Sequence, residues 1–302
     1  MNKCEILDEQ AMKQFDSFGD KTILVGAKST GKTTVLKEYY NHTNNDKTMV
    51  VMFDFNDFFN IPLTYDEKSM YVQLSLAKSV LDCITSDNRV VNYYKKLIDN
   101  ILVEFINFTT CRPYLHETKF SYRNKTLLDE VINAMKITLK KDSIILIVDK
   151  FDQIYYSNKD YQELFMDYGR YFDKVIVSSE DEEVLQPSEV ERLKPKGYDV
   201  VDVKKMFNYE TIKNMILSKF FNYKKVSINL CRMLTSEKLL NLYNLTGGNF
   251  NIMKDVLDEI NNETSIVDDF YVISKISEHV NRYNEMASYY NGVRGYKRTL
   301  HL

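Results

Sequence analysis

Short apolar, β-branched runs alternate along this chain with longer stretches in which apolar residues recur three and four positions apart. The first run, Lys21-Thr22-Ile23-Leu24-Val25, predicts a buried strand that ends in a glycine-rich turn, and Thr33 to Tyr40 continues as a helix. Thr48 to Asp54 predicts a second strand. From Tyr65 to Thr110 the spacing is helical, carried by Val72, Leu76 and Val80 and then by Leu97, Ile101, Leu102 and Phe105. Asn124 to Lys140 reads as another amphipathic helix. Ser143 to Asp149 is the most strongly apolar strand, followed by shorter ones at Lys174 to Ser179 and Asp199 to Val203. Beyond about Phe207 the pattern is helical throughout. Strands that alternate with helices predict an α/β fold with a parallel sheet between helices, followed by a small helical domain.

Composition narrows the picture. The chain has 302 residues, and 40 Lys+Arg against 43 Asp+Glu leave a net charge of −3. With 44% hydrophobic and 27% charged residues, the chain can bury a core, which argues against disorder. No stretch approaches the roughly 18 apolar residues of a membrane span, so a soluble protein is expected. Acids at Glu5 and Asp8 stand where a signal peptide needs an apolar run. Cys4, Cys83, Cys111 and Cys231 are dispersed, as are His42, His116, His279 and His301. That spacing predicts reduced thiols in an intracellular compartment and no His/Cys metal site. Near-neutral charge leaves nucleic-acid contact to a local patch or a partner.

Gly26-Ala27-Lys28-Ser29-Thr30-Gly31-Lys32-Thr33 matches the phosphate-loop pattern G-x-x-x-x-G-K-[ST] between a predicted strand and a predicted helix. The glycines let backbone N–H groups converge on phosphate oxygens, and the helix N-terminus adds partial positive charge there. Lys32 is expected to reach the β/γ-phosphates and the Thr33 hydroxyl to ligate Mg²⁺.

Such a site needs a carboxylate at the end of a neighbouring strand to hold the metal's water shell, and Asp149 is the natural candidate. Hydrolysing ATPases with such a phosphate loop commonly place Glu next; here the residue is Lys150. An ammonium accepts no proton from water, so slow or absent ATP turnover is expected, with Asp152 the candidate substitute base. Ser178 and Ser179 end the next strand and are candidates to sense the γ-phosphate or position water; helix capping is the plainer alternative. Arg192 could face a neighbour's nucleotide or simply solvent. Thr246-Gly247-Gly248-Asn249 fits a helix C-cap and a tight interhelical turn. The basic clusters Lys194-Pro195-Lys196, Lys204-Lys205 and Arg294 to Arg298 read as solvated surface.

The order of these parts resembles the initiator branch of the AAA+ ATPases, which includes the origin recognition complex subunits and their helicase-loading relatives. The likeness is carried by GAKSTGKT at 26–33, IILIVDKFDQI at 144–154, VIVSS at 175–179, VVDVKKMFNYETIKNMIL at 200–217 and TGGN at 246–249. It covers about residues 15–260. It implies ATP at Gly26–Thr34 (Gly26, Ala27, Lys28, Ser29, Thr30, Gly31, Lys32, Thr33, Thr34), Mg²⁺ at Thr33 and Asp149, and a γ-phosphate sensor at Ser178 or Ser179. It implies an AAA+ domain over 1–205 and a helical lid over 206–265. Family members normally continue into a winged-helix domain, whereas here a helical tail over 266–302 is expected, with DNA engaged mainly through the complex. The resemblance further implies a hetero-oligomeric, ring-like assembly of origin recognition complex subunits on origin DNA in the nucleus. Related initiators carry an arginine in the lid turn; this chain has Asn251 there, with Lys254 a helical turn further on.

Two other classes stand beside a binding and scaffold role. One is an active P-loop ATPase, helicase-loader-like or STAND-type, with Asp152 or a partner's residue as base. The other is a small-molecule kinase, which the few arginines between Lys32 and Asp149 disfavour.

Overall fold

The computed structural model describes residues 13–26, 30–53, 63–111, 126–149, 151, 159–180, 186–221 and 225–295. They fall into two compact units. Among the described residues, one unit runs over Phe15–Val25 and Lys32–Val201; the other takes in Gly26, Thr30, Gly31 and the described residues from Asp202 to Gly295.

The first unit is built on a five-stranded sheet of β1 (Lys21–Val25), β2 (Thr48–Phe53), β3 (Ser143–Val148), β4 (Lys174–Ser179) and β5 (Tyr198–Asp202), in the order β2-β3-β4-β1-β5. The pairs β2–β3, β3–β4 and β4–β1 are all parallel. Parallel strands are covered by helices on both faces, which is why they read as unbroken apolar runs. In β3 every residue from Ile144 to Val148 is buried, and in β4 every residue from Val175 to Ser179. The helices are α1 (Lys32–Thr43), α2 (Tyr65–Asp82), α3 (Arg89–Cys111), α4 (Leu127–Leu139), α5 (Lys159–Gly169) and α6 (Pro187–Leu193). The α/β class expected from the sequence is the class found.

The helical stretch expected over 65–110 is two helices. Helix α2 starts on a reciprocal cap, in which the Thr64 N–H donates to Glu67 Oε2 (2.8 Å) and the Glu67 N–H donates to Thr64 Oγ1 (3.4 Å). It ends at Cys83, and Asn88 starts α3 by accepting the Val90 N–H on its side chain at 2.8 Å and the Asn92 N–H on its carbonyl at 2.9 Å. Ser86-Asp87-Asn88 is turn and cap chemistry inside an apolar rhythm that otherwise runs on. Helices α2, α3 and α4 bury Leu74, Leu76, Phe105, Leu128 and Ile132 in one core with Val51 and Leu146 of the sheet. Each such side chain contributes about 1.5–3 kcal/mol on full burial.

The second unit is helical, as expected beyond Phe207. Its helices are α7 (Tyr209–Phe221), α8 (Ile228–Met233), α9 (Ser236–Leu245), α10 (Phe250–Asn262) and α11 (Asp269–Gly295). The turn between α9 and α10 follows its glycines. Gly247 and Gly248 take φ of 61° and 72°, and the Gly248 N–H returns to the Tyr243 carbonyl at 2.8 Å. Asn249 then caps α10, accepting the N–H groups of Asn251 (3.1 Å) and Ile252 (3.2 Å).

Candidate functional site

Parallel register brings the carboxyl ends of β1, β3 and β4 to one edge of the sheet. Val25 lies opposite Ser179, and Val148 opposite Val177. In open parallel sheets such an edge is where ligands bind. The residues one step on, Asp149 and Ser178, are therefore opposed, and Ser178 Oγ donates to Asp149 Oδ1 at 2.6 Å. The other carboxylate oxygen, Oδ2, accepts from Thr33 Oγ1 in the first turn of α1 at 2.7 Å. Asp149 thus ties a strand end to the start of the helix that follows the phosphate loop. Both bonds are charge-assisted, the stronger kind.

Around this triad Ser178 is fully buried, Ser179 and Lys32 are buried, Thr34 is half-buried and Thr33 is exposed. The first turn of α1 places the positive end of the helix dipole at Lys32 and Thr33. Of the two serines offered by the sequence, Ser178 is the one that meets Asp149. Alternation along β4 turns Ser179 to the opposite face.

The phosphate loop is described at its two ends. A Cβ placed on Gly26 would stand 2.5 Å from Thr30 Oγ1 and 3.6 Å from Val203 Cβ, so Gly26 and Thr30 close upon each other as only a glycine permits. Gly31 has a φ of 93°, and a Cβ there would meet two ring carbons of Phe207 at 2.7 Å. Contacts disfavour a side chain at both glycines of the motif, and at Gly31 the positive φ does so as well. Val203 and Phe207 escaped the sequence reading: apolar residues between a strand and a helix carry no signal of the glycines they meet.

Ala27, Lys28, Ser29, Lys150 and Asp152 lie outside the described residues. Arg192 falls within α6, with its side chain outside the described part.

Mg²⁺ suits the oxygen donors present. It binds through one or two carboxylates together with water and phosphate, in an octahedron whose bonds of about 2.1 Å put neighbouring ligand oxygens roughly 3 Å apart. Thr33 Oγ1 and Asp149 Oδ2, at 2.7 Å, stand close to that spacing. Among the described residues no group of three or more His, Cys, Asp or Glu side chains stands together as a metal site. No described helix is long and apolar enough to cross a membrane.

No protein-family model and no curated protein matches this chain. Among solved structures, it is similar to a chain in a structure of Drosophila ORC bound to DNA, at 11% identity and a TM-score of 0.46, over 91% of this chain and 66% of that one. It is also similar to a chain in a structure of Drosophila ORC bound to AT-rich DNA and Cdc6, at 14% identity and a TM-score of 0.30, over 90% of this chain and 82% of that one. The chain spans just under two thirds of the length of the first of these neighbours. Both TM-scores are below 0.5, and the functional reading stands on the residues instead.

Proposed function

We propose that this chain is an ATP-binding subunit of an origin recognition complex, one that holds its nucleotide to cement a multi-subunit assembly on replication-origin DNA. The observation that carries the nucleotide reading is the 2.7 Å bond between Thr33 and Asp149, two residues the phosphate-loop motif assigns to one Mg²⁺ and which are 116 positions apart in sequence. Lys32 and the first-turn N–H groups of α1 would bind and orient the phosphates; Thr33 and Asp149 would hold Mg²⁺, which would supply neutralisation of phosphate charge. Ser178 keeps the Asp149 carboxylate in place.

Retention follows from Lys150. The water-activating position next to Asp149 carries a cation, which neither accepts a proton nor tolerates a neighbouring conjugate acid. Hydrolysis is accordingly weak or absent. The assignment to an origin complex rests on the motif order of the sequence. Asp149-Lys150, the serine-ended strand and the stretch from Tyr209 to Leu217 resemble subunit 5 of the complex most. The partners are then the other subunits, the DNA is engaged mainly through the complex, and the compartment is the nucleus.

Affinity purification of the chain from nuclear extract, with and without ATP, tests the assembly. Recovery of origin-complex subunits that depends on ATP and disappears in Lys32→Ala supports the reading. Recovery of none of them overturns it.

A further inference from the structure

The lid turn offers Asn251 where related initiators carry an arginine, so the helical unit needs another way to register what the phosphate loop holds. Phe207 supplies a starting point. Its ring lies against Gly31, 2.7 Å from where a Cβ would be, while Val203 approaches Gly26 at the loop's other end. Val203 is fully buried and Phe207 is 8% exposed, so neither can swing into solvent when the loop shifts.

Phe207 is fixed directly to the start of α7. The next residue, Asn208, caps that helix by accepting on its side chain the Thr211 N–H at 2.8 Å and the Thr211 hydroxyl at 3.1 Å. Tyr209 follows, and its hydroxyl donates to the Ser236 carbonyl of α9 at 2.8 Å. Its ring meets Tyr243 of α9 edge-on, with centroids 5.5 Å apart. Tyr243 in turn lies on Gly248, where a Cβ would stand 2.8 Å from a ring carbon. Gly248 adjoins Asn249, the cap of α10. An aromatic ring seated on a glycine therefore stands at each end of this path, and at both glycines φ is positive.

We propose that Phe207, Tyr209 and Tyr243 form an aromatic relay that transmits occupancy of the phosphate loop to the α9–α10 turn of the helical unit. The proposal rests on the nucleotide reading above and adds a regulation to it. The physical basis is close packing. A ring pressed against backbone has no slack, so a loop drawn toward phosphates moves Phe207, and Phe207 moves a capped helix start. Coupling of this kind requires a demonstrated effect at a distance, not proximity alone.

Hydrogen exchange of the full chain with and without Mg-ATP, alongside equilibrium ATP binding, provides the test. In the wild type, ATP is expected to slow exchange at least threefold in Tyr209–Phe221 and in Phe250–Asn262 as well as in the loop. In Tyr243→Leu, ATP affinity is expected within threefold of wild type, with slowing retained in Tyr209–Phe221 and lost in Phe250–Asn262. Phe207→Leu is expected to lose both, and Phe207→Tyr, which restores a ring, to recover them. ATP binding without any slowing in the helical unit overturns the relay and leaves the nucleotide reading standing, as does slowing in Phe250–Asn262 that survives Tyr243→Leu. A wild-type chain that binds no ATP overturns both.

Discussion

Asp149 accepts a hydrogen bond from Thr33 at 2.7 Å on one carboxylate oxygen and from Ser178 at 2.6 Å on the other. A single carboxylate thereby fixes the first turn of α1 against the ends of β3 and β4. The two donors play different parts, and substitutions separate them.

Thr33→Val keeps the side-chain shape and removes the hydroxyl. ATP affinity in the presence of Mg²⁺ is expected to fall by roughly 10- to 150-fold, the equivalent of about 1.5–3 kcal/mol for a hydrogen bond to a charged group. Affinity in EDTA is expected to change little. Calorimetric titration under the two conditions checks this; an equal loss in both would remove the hydroxyl from metal binding.

Ser178→Ala acts on the fold as well. Ser178 is fully buried, and without its hydroxyl the Asp149 carboxylate loses one of its donors. A stability loss of about 1–3 kcal/mol in urea denaturation is expected, with ATP affinity reduced because the carboxylate is less firmly aimed.

Gly31→Ala and Gly197→Ala form a matched pair. Both glycines have positive φ, 93° and 81°, but a Cβ on Gly197 meets nothing within 4 Å whereas one on Gly31 meets the Phe207 ring. Gly197→Ala is expected to cost only the backbone penalty, about 1–2 kcal/mol. Gly31→Ala is expected to cost more, by a margin that shrinks in the Phe207→Ala background. A double-mutant cycle in chemical denaturation measures that margin.

Alkaline stability follows from Tyr39. Its ring is buried, edge-on to Phe15 with centroids 5.2 Å apart and stacked on Phe18 at 5.6 Å. Burial raises its phenol pKa above the usual value of 10.0; the Thr43 hydroxyl opposes that shift and Asp16 adds to it. Above about pH 10 the unfolded tyrosine loses its proton while the folded one keeps it, so the unfolded state binds fewer protons and stability falls as pH rises. Tyr39→Phe is expected to flatten that fall above about pH 10, read by thermal denaturation across pH. An unchanged slope would show that Tyr39 titrates normally.

The sheet and the helix after the glycine-rich turn were legible because both are written locally. Ile144 to Val148 is too apolar and too short to be anything but a buried strand, and the glycine-rich turn after Val25 announces the helix that follows. Asp149 was legible for the same reason, as a carboxylate at a strand end. The break between α2 and α3 was not, because Val72-to-Phe105 spacing continues across it and only the caps at Cys83 and Asn88 interrupt the backbone. Ser178 could not be chosen over Ser179 without register, since adjacent strand residues face opposite ways and only pairing of Val148 with Val177 decides which serine meets Asp149. Phe207 and Tyr243 were silent because their partners are glycines, which leave no pattern in hydropathy.

The proposed function requires a chain that holds ATP and does not consume it. Equilibrium binding of Mg-ATP to the purified chain, paired with a single-turnover measurement on the same preparation, reads both properties at once. Saturable binding lost in Lys32→Ala is expected, with bound ATP recovered intact over many minutes and turnover raised by Lys150→Glu. Brisk hydrolysis by the wild-type chain, abolished by Asp152→Asn, would contradict the proposed function, as would the absence of any binding.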